Sequence, residues 1–490
     1  MARATIPVRV RWLATAALCA VAASGCGKTP EAVFVSSKRT TDMIRPVQSR
    51  VEQAVAENFG TPQNLYASLR LPIDYGTAEG VVKEGGGAGS NHFTYEWTKP
   101  ETAEQLKKVD LTGAAFVWDS GPNTNVTITR QRKDVPAEFQ VTGYHPTEQS
   151  IELSINVPDN PEPGDKFRVI GFGMQSGRRL YMQHCMHCHG VSGDGNGPTA
   201  RYLNPLPRDY RLGVFKFTST SSRDKVSRED LHRIIRNGIP GTYMPSFLLL
   251  KDEELKAITE YVRWLAQRGE FESRLNAGLK DYSKPAIDER EKKGESRADV
   301  EKELTKAATS KEFIAEFDES IESAFAGLSR DWGRADEASS VIHPKSGRID
   351  PVADAASIER GRKLYLSDKT KCASCHGLGG RGDGPQTTDV QKRSDGSEYD
   401  KPGLFDAWDK EIKPRDLTQG IYRGGRRPID VYRRVYAGIK GTPMPSFNTA
   451  LKENEIWDIV NYVLSVPYNG KAPPALKEAP VATTASTADE

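Results

Sequence analysis

The chain has 490 residues, of which 37% are hydrophobic and 27% are charged. This length allows about three domains of ordinary size, and the composition is that of a globular protein with additional polar linker. With 68 Lys and Arg against 66 Asp and Glu, the net charge is only +2. No basic stripe with interleaved aromatic residues occurs, so the sequence argues against a nucleic-acid partner.

An export signal is predicted over residues 1–25. Arg3, Arg9 and Arg11 precede a short apolar run over 12–23, and small residues follow as far as Cys26. This order is typical of a signal peptide, and the run is shorter than the roughly 20 apolar residues that span a membrane. The segment resembles a bacterial lipoprotein signal, which implies lipidation of Cys26. The alternative is an ordinary signal peptide cut near Gly25.

The next two segments carry no recognisable chemistry. Residues 26–90 are interpreted as a tether with one short helix near 41–58, ending in a glycine cluster. From 91 to 171 the pattern changes to an alternation of apolar and polar residues, clearest at 125–130, 139–144 and 151–157. Alternation of this kind, interrupted by Pro, Gly, Asn and Asp, predicts a small β-rich unit of hairpins.

The six cysteines of the chain have distinct assignments. Cys19 lies inside the predicted signal and Cys26 at its end. The other four form two C-x-x-C-H motifs: Cys185, Cys188 and His189, then Cys372, Cys375 and His376. Such pairs also suit disulfides or zinc. The histidine directly after each pair favours haem, because two thiols can add to the vinyl groups of one haem while the imidazole lies beneath the iron.

The two motifs lie in segments that repeat each other, which predicts one duplicated domain over 172–268 and 354–468. Each copy closes with an amphipathic helix. The shared elements are Gly-Arg-basic-Leu-Tyr at 177–181 and 361–365, Gly-Pro ending at Pro198 and Pro385, Pro-Arg-Asp at 207–209 and 414–416, and Gly-Thr-x-Met-Pro-Ser-Phe at 241–247 and 441–447.

These elements resemble the class I cytochrome c family over the whole of each copy. The resemblance implies that His189 and His376 are proximal ligands of two covalent c-type haems, and that Met244 and Met444 are distal ligands. A thioether is a soft ligand that suits a low-spin haem iron, and His/Met ligation raises the reduction potential. The predicted fold class is mainly α, with two such haem domains, a small β-rich N-terminal unit and a helical linker.

Further roles follow from the same resemblance. It implies that the carbonyls of Pro198 and Pro385 accept the histidine ring N–H groups, although Gly-Pro also suits a simple turn. Arg208 and Arg415 suit haem propionates, or alternatively surface ion pairs with the Asp residues that follow them. A crossing of the first and last helices is implied by Gly177, Tyr181, Tyr261 and Trp264, and in the second copy by Gly361, Tyr365 and Tyr462. His184, His187 and His232 have no counterparts and are interpreted as exposed or structural.

The remaining segments are polar. The second copy carries a longer segment over 386–413, interpreted as a surface loop that serves for docking or as decoration. Residues 269–353 are predicted to be a charged helical linker, solvated over 281–304. Within it, Phe313, Phe317, Ile321 and Leu328 share one helical face and are expected to pack on a haem domain. The tail over 469–490 is predicted to be disordered.

The sequence favours electron transfer without a substrate pocket. The expected partners are membrane-associated redox proteins such as a terminal oxidase or a quinol-oxidising complex, on the periplasmic side of a bacterial membrane. A di-haem peroxidase-like enzyme is the main alternative, and it needs an exchangeable site at one haem. The other alternative is a fixed cytochrome subunit of an oxidase or dehydrogenase complex. Both copies offer the same Met, which favours electron transfer over peroxidase chemistry.

Overall fold

The computed structural model describes residues 32–107, 109–125, 128–129, 136–137, 139–349, 353–393 and 396–473. The predicted signal, Cys26 and most of the predicted tail lie outside these residues. The described residues are mainly helical, with a smaller share of strand. Within the described ranges, no helix is long and apolar enough to cross a membrane.

The described part of the predicted tether is folded, so that prediction is wrong. Helix α1 (Lys38–Thr41) and helix α2 (Arg45–Phe59) are the first helices of the described residues. Val47, Val51 and Phe59 of α2 are buried in the same core as the first haem domain, where the Phe59 ring lies 5.7 Å from that of Trp264. The helix predicted near 41–58 is confirmed, and burial of its apolar face anchors it.

A closed antiparallel barrel follows, in the strand order β1-β2-β7-β6-β3-β8. Its interior is filled by aromatic rings, with Phe116 stacked on Phe167 at 5.0 Å. A short helix and a two-stranded pair lie outside the ring of strands. The elements are β1 (Thr77–Gly85), β2 (His92–Trp97), α3 (Pro100–Leu106), β3 (Ala115–Trp118), β4 (Ile128–Thr129), β5 (Pro136–Ala137), β6 (Phe139–His145), β7 (Ser150–Leu153) and β8 (Lys166–Ile170).

The β-rich unit therefore begins at Thr77 and not at 91, and it is a barrel and not a set of separate hairpins. Strand β1 was hidden because Gly80 occupies an inward position where a strand normally shows a large apolar residue. A Cβ at Gly80 would lie 2.4 Å from the Phe167 ring, so the strand needs glycine there to let that ring fill the barrel.

Each haem domain is built from four helices, and its first and last helices cross at a glycine. A Cβ at Gly177 would lie 2.1 Å from the Ala257 carbonyl oxygen, and one at Gly361 would lie 1.9 Å from that of Asp458. The predicted crossing is confirmed in both copies. The helices are α4 (Phe172–His184), α5 (Met186–His189), α6 (Arg228–Asn237) and α7 (Asp252–Ala277), then, beyond the intervening helices, α11 (Ala355–Leu366), α12 (Cys372–His376), α13 (Pro428–Ala437) and α14 (Glu453–Ser465).

The region between the haem domains is a packed helical layer. Helix α7 continues unbroken past residue 268, so the predicted boundary there is wrong. Helices α8 (Lys284–Lys292), α9 (Arg297–Ala308) and α10 (Lys311–Ala335) follow. The apolar face predicted on α10 is confirmed: Phe313, Phe317, Ile321 and Leu328 are buried in the core of the first haem domain. Helices α8 and α9 bury only Ile287, Val300, Leu304 and Ala308, and their outer faces carry exposed ion pairs.

Candidate functional site

Each C-x-x-C-H motif forms a short helix, and a backbone carbonyl fixes its histidine ring. Nδ1 of His189 lies 3.1 Å from the Arg208 carbonyl oxygen, and Nδ1 of His376 lies 3.2 Å from that of Arg415. A carbonyl can only accept, so Nδ1 carries the proton and Nε2 is left free to bind a metal. Burial lowers the pKa of both imidazoles, which favours the neutral form that a metal requires.

The predicted roles of the Pro198 and Pro385 carbonyls are therefore wrong. The Gly-Pro elements pack instead on the ends of the motif helices, where Gly197 N donates to Cys188 O and Gly384 N donates to Cys375 O, both at 3.1 Å. This agrees with the alternative in which each Gly-Pro element forms a simple turn. The ring acceptor comes from the Pro-Arg-Asp segment, which the sequence shows as a repeat without showing which carbonyl meets the ring.

The glycine after each motif and the tyrosine of each first helix lock the motif in place. Tyr181 OH donates to Gly190 O at 2.7 Å, and Tyr365 OH donates to Gly377 O at 2.8 Å. The two glycines have φ values of +74° and +77°, which explains why glycine follows the histidine. Burial holds the pKa of Tyr181 well above its ordinary value, so the hydroxyl stays a neutral donor.

The two methionines lie on loops of identical construction. Met244 N donates to Thr242 Oγ1 at 3.1 Å, and its carbonyl oxygen accepts from Ile239 N at 3.1 Å. In the second copy, Met444 makes the same bonds to Thr442 and Ile439 at 3.3 and 3.2 Å. Each Met is thus held on both sides of its backbone, ahead of a proline that restricts it further.

One cavity of about 1050 Å³ brings the two motifs and the two Met loops together. Much of its remaining lining is apolar, and it includes Phe215, Val262, Val431 and Val463. All eight residues predicted from the sequence line it: Cys185, Cys188, His189, Met244, Cys372, Cys375, His376 and Met444.

The donor set of this cavity fits c-type haem. The four described cysteines are free thiols, and among the described residues no three His, Cys, Asp or Glu side chains could hold a metal ion without a macrocycle. One imidazole and one thioether per copy suit the two axial positions of a haem iron. Two buried guanidinium nitrogens at the cavity also lack a hydrogen-bond partner among the described residues, Nε of Arg423 and Nε of Arg434, and a propionate would supply one.

The structure also separates the alternatives for the repeated arginines. Asp209 binds Arg211 at 2.8 Å, and Asp416 accepts from Thr418, so the predicted ion pairs with Arg208 and Arg415 are wrong. Both arginines line the cavity, and their role toward propionates stays a prediction. The sequence did not predict that Arg423 lines the cavity, because Arg423 lies in none of the repeated elements.

The three unmatched histidines are placed as follows. His187 is exposed, and Nε2 of His232 lies 3.2 Å from Asp252 Oδ1 on the surface of the first haem domain. The half-buried His184 ring lies 6.0 Å from the Phe247 ring at the cavity wall. His187 is thus exposed and His232 has a structural partner, as predicted.

Comparison with known proteins identifies two domains. Residues 173–262 match the family described as cytochrome c oxidase, cbb3-type, subunit III, and residues 358–467 match the family described as cytochrome c. No curated protein matches the chain. Among solved structures, a chain of the Kuenenia stuttgartiensis reducing HAO-like protein complex is 26% identical, with 60% of this chain and 96% of that chain covered at a TM-score of 0.40.

Proposed function

Since the chain carries two cytochrome c domains, which imply covalently bound c-type haem, we propose that it is a di-haem electron-transfer protein. The observation that carries the proposal is a matched pair of sites that line one largely apolar cavity. In each site a backbone carbonyl fixes the histidine ring, and two hydrogen bonds hold the backbone of the methionine. A bound c-type haem supplies a one-electron ferrous/ferric couple. The thiols of each motif would anchor it, and the imidazoles of His189 and His376 with the thioethers of Met244 and Met444 would hold its iron.

The protein side of this arrangement favours electron transfer over substrate chemistry. The apolar part of the lining would favour the reduced iron, and the neutral imidazole and thioether would add no charge, so the reduction potential would be raised. The two Met loops are held by the same backbone bonds, which supports a fixed thioether at each site over the exchangeable position that a peroxidase-like enzyme needs. The protein's proposed partner is a membrane-associated redox protein such as a terminal oxidase or a quinol-oxidising complex.

Carbon monoxide binding tests the proposal directly. We expect the reduced wild-type protein to bind carbon monoxide poorly and to show low-spin spectra at both sites, because His and Met fill both axial positions. Absorption spectra before and after gas addition measure this. Strong binding by the unmodified protein would instead support the peroxidase-like alternative.

We further propose that the protein is lipid-anchored through Cys26 on the periplasmic side of a bacterial membrane. Several acyl chains give stable attachment where a single chain is marginal. The structure limits the reach of this anchor, because Val35 N already donates to Ser192 Oγ of the first haem domain at 2.6 Å. The chain from residue 26 to residue 35 extends at most about 30 Å, so the first haem domain would be held close to the membrane surface.

Replacement of the anchor residue tests the location. We expect Cys26→Ser to release the protein into the soluble periplasmic fraction, or to block signal cleavage, with an unchanged haem content. Fractionation and mass spectrometry of the N-terminal peptide measure this, and Cys19→Ser is the matched control that stays with the membrane. Wild-type protein that is freed by mild osmotic treatment and carries no acyl mass contradicts the anchor and leaves electron transfer intact.

A further inference from the structure

The polar insertion of the second haem domain, residues 386–413, reaches the first haem domain. Its described part contains a small hairpin of β9 (Leu404–Phe405) and β10 (Glu411–Ile412). At the hairpin tip, the Asp406 carboxylate lies 3.5 Å from Lys216 Nζ and 3.8 Å from Arg208 Nη1. The Arg208 guanidinium also lies 3.8 Å from the centre of the Trp408 ring. Two residues of one domain therefore hold two cations of the other.

The insertion is rigid where it makes this contact. Asp406 Oδ1 accepts from the backbone N–H groups of Trp408 and Lys410, at 3.0 and 3.2 Å, and its side chain is only 7% exposed. Ala407 N donates to Gly441 O at 3.0 Å, which ties the tip to the second Met loop. Because its Oδ1 accepts these backbone bonds, the Asp406 carboxylate keeps Oδ2 aimed across the domain boundary, at Lys216 and Arg208.

Both Met loops lie at this boundary, each against the opposite domain. A Cβ at Gly241 would lie 3.0 Å from Arg415 Nη2 and 3.1 Å from Ile421 Cγ2 of the second domain. A Cβ at Gly441 would lie 3.2 Å from Val214 Cγ1 of the first domain and 2.7 Å from Trp408. The glycine of each Gly-Thr-x-Met element, with φ of +71° and +69°, thus lies close to the opposite domain, with little room for a side chain.

Further bonds close the remainder of the boundary. Buried Arg434 donates from Nη1 to Thr218 O at 3.0 Å, and Lys440 Nζ donates to Thr220 Oγ1 at 2.9 Å. Arg433 Nε donates to Ile342 O at 3.2 Å, so the segment that links the two domains also contacts the second domain at this boundary. These contacts join the two haem sites into the single cavity described above.

We propose that the insertion is an intramolecular clamp: Asp406 and Trp408 grip Lys216 and Arg208, and this grip holds the two haem sites together as one electron-exchanging pair. The inference rests on the proposed electron-transfer function and deepens it. When one electron passes between the sites, the site that gives it up is oxidised from ferrous to ferric and the other is reduced from ferric to ferrous. No bond forms and no proton moves, so fixed proximity is what the protein must supply. Asp406 and Trp408 are positioning residues.

Circular dichroism of the intact, haem-loaded protein tests the clamp. Two strongly absorbing groups held close together give a two-signed band in the Soret region. We expect this band in the wild-type protein and its loss in the Asp406→Asn/Trp408→Ala double variant, with both haems and low-spin spectra retained. Lys216→Glu changes the same contact from the other domain by placing a like charge against Asp406. We expect this variant to lose the two-signed band as well.

The matched control is Lys401→Gln in the same insertion. Lys401 is exposed and pairs with Glu411 inside the hairpin, so this variant should keep the two-signed band. A wild-type protein without the band, or a band unchanged in both the double variant and Lys216→Glu, overturns the clamp. These results leave haem content and axial ligation untouched, so failure of the clamp is distinguishable from failure of the proposed electron-transfer function.

Discussion

Replacement of both cysteines of one motif with alanine halves the pyridine-haemochrome yield. The variants are Cys372→Ala/Cys375→Ala and the equivalent change at Cys185 and Cys188. Each removes the two thiols that anchor one haem and leaves the other motif in its own domain, where a separate histidine, tyrosine and Met loop are intact. Each loss is therefore confined to one site. Haem staining of denaturing gels after acid–acetone extraction measures the covalent fraction independently.

The second motif offers a control within the same short helix. Ser374 lies between the two cysteines, carries no thiol, and donates to Lys371 O at 2.6 Å. Ser374→Ala should keep the full yield. A haemochrome yield that neither double cysteine replacement changes contradicts covalent attachment at these motifs.

Met244→Ala and Met444→Ala each open one iron and lower its reduction potential. Loss of the thioether removes the soft ligand that favours the ferrous state, and axial-ligand identity spans about 0.8 V in haem proteins, so we expect a shift on the order of 0.1 V or more. The opened site should also bind carbon monoxide when reduced. Potentiometric titration and absorption spectra measure both effects, and each variant should alter one of the two haems.

A methionine outside the cavity provides the control for these variants. Met174 is 1% exposed in the core of the first haem domain and does not line the cavity. Met174→Leu nearly conserves volume and should cost less than about 1.5 kcal/mol of folding free energy, with both potentials unchanged. Potentials that stay unchanged in Met244→Ala and Met444→Ala contradict His/Met ligation.

The sequence by itself predicted the donor groups of the site. Thiols, imidazoles and thioethers are recognisable one residue at a time, and the duplication placed each of them twice at equivalent positions. The helix crossing at Gly177 and Gly361 was implied by the resemblance to class I cytochrome c, and the structure shows its physical basis: the two helices approach too closely for a side chain at either glycine. The apolar face of α10 followed from helical periodicity alone.

Only the tertiary structure decided which groups meet across long stretches of chain. The carbonyl oxygens that accept from the histidine rings belong to Arg208 and Arg415 and not to the prolines. The path of the Pro-Arg-Asp loop beside each histidine depends on the whole domain, so the sequence could not show this. Strand β1 was concealed by Gly80, whose missing side chain is what the barrel interior requires. The docking of residues 386–413 on the first haem domain was equally hidden. Polar residues such as Asp406 look solvated in a sequence, and only their partners on another domain show that they are buried and paired.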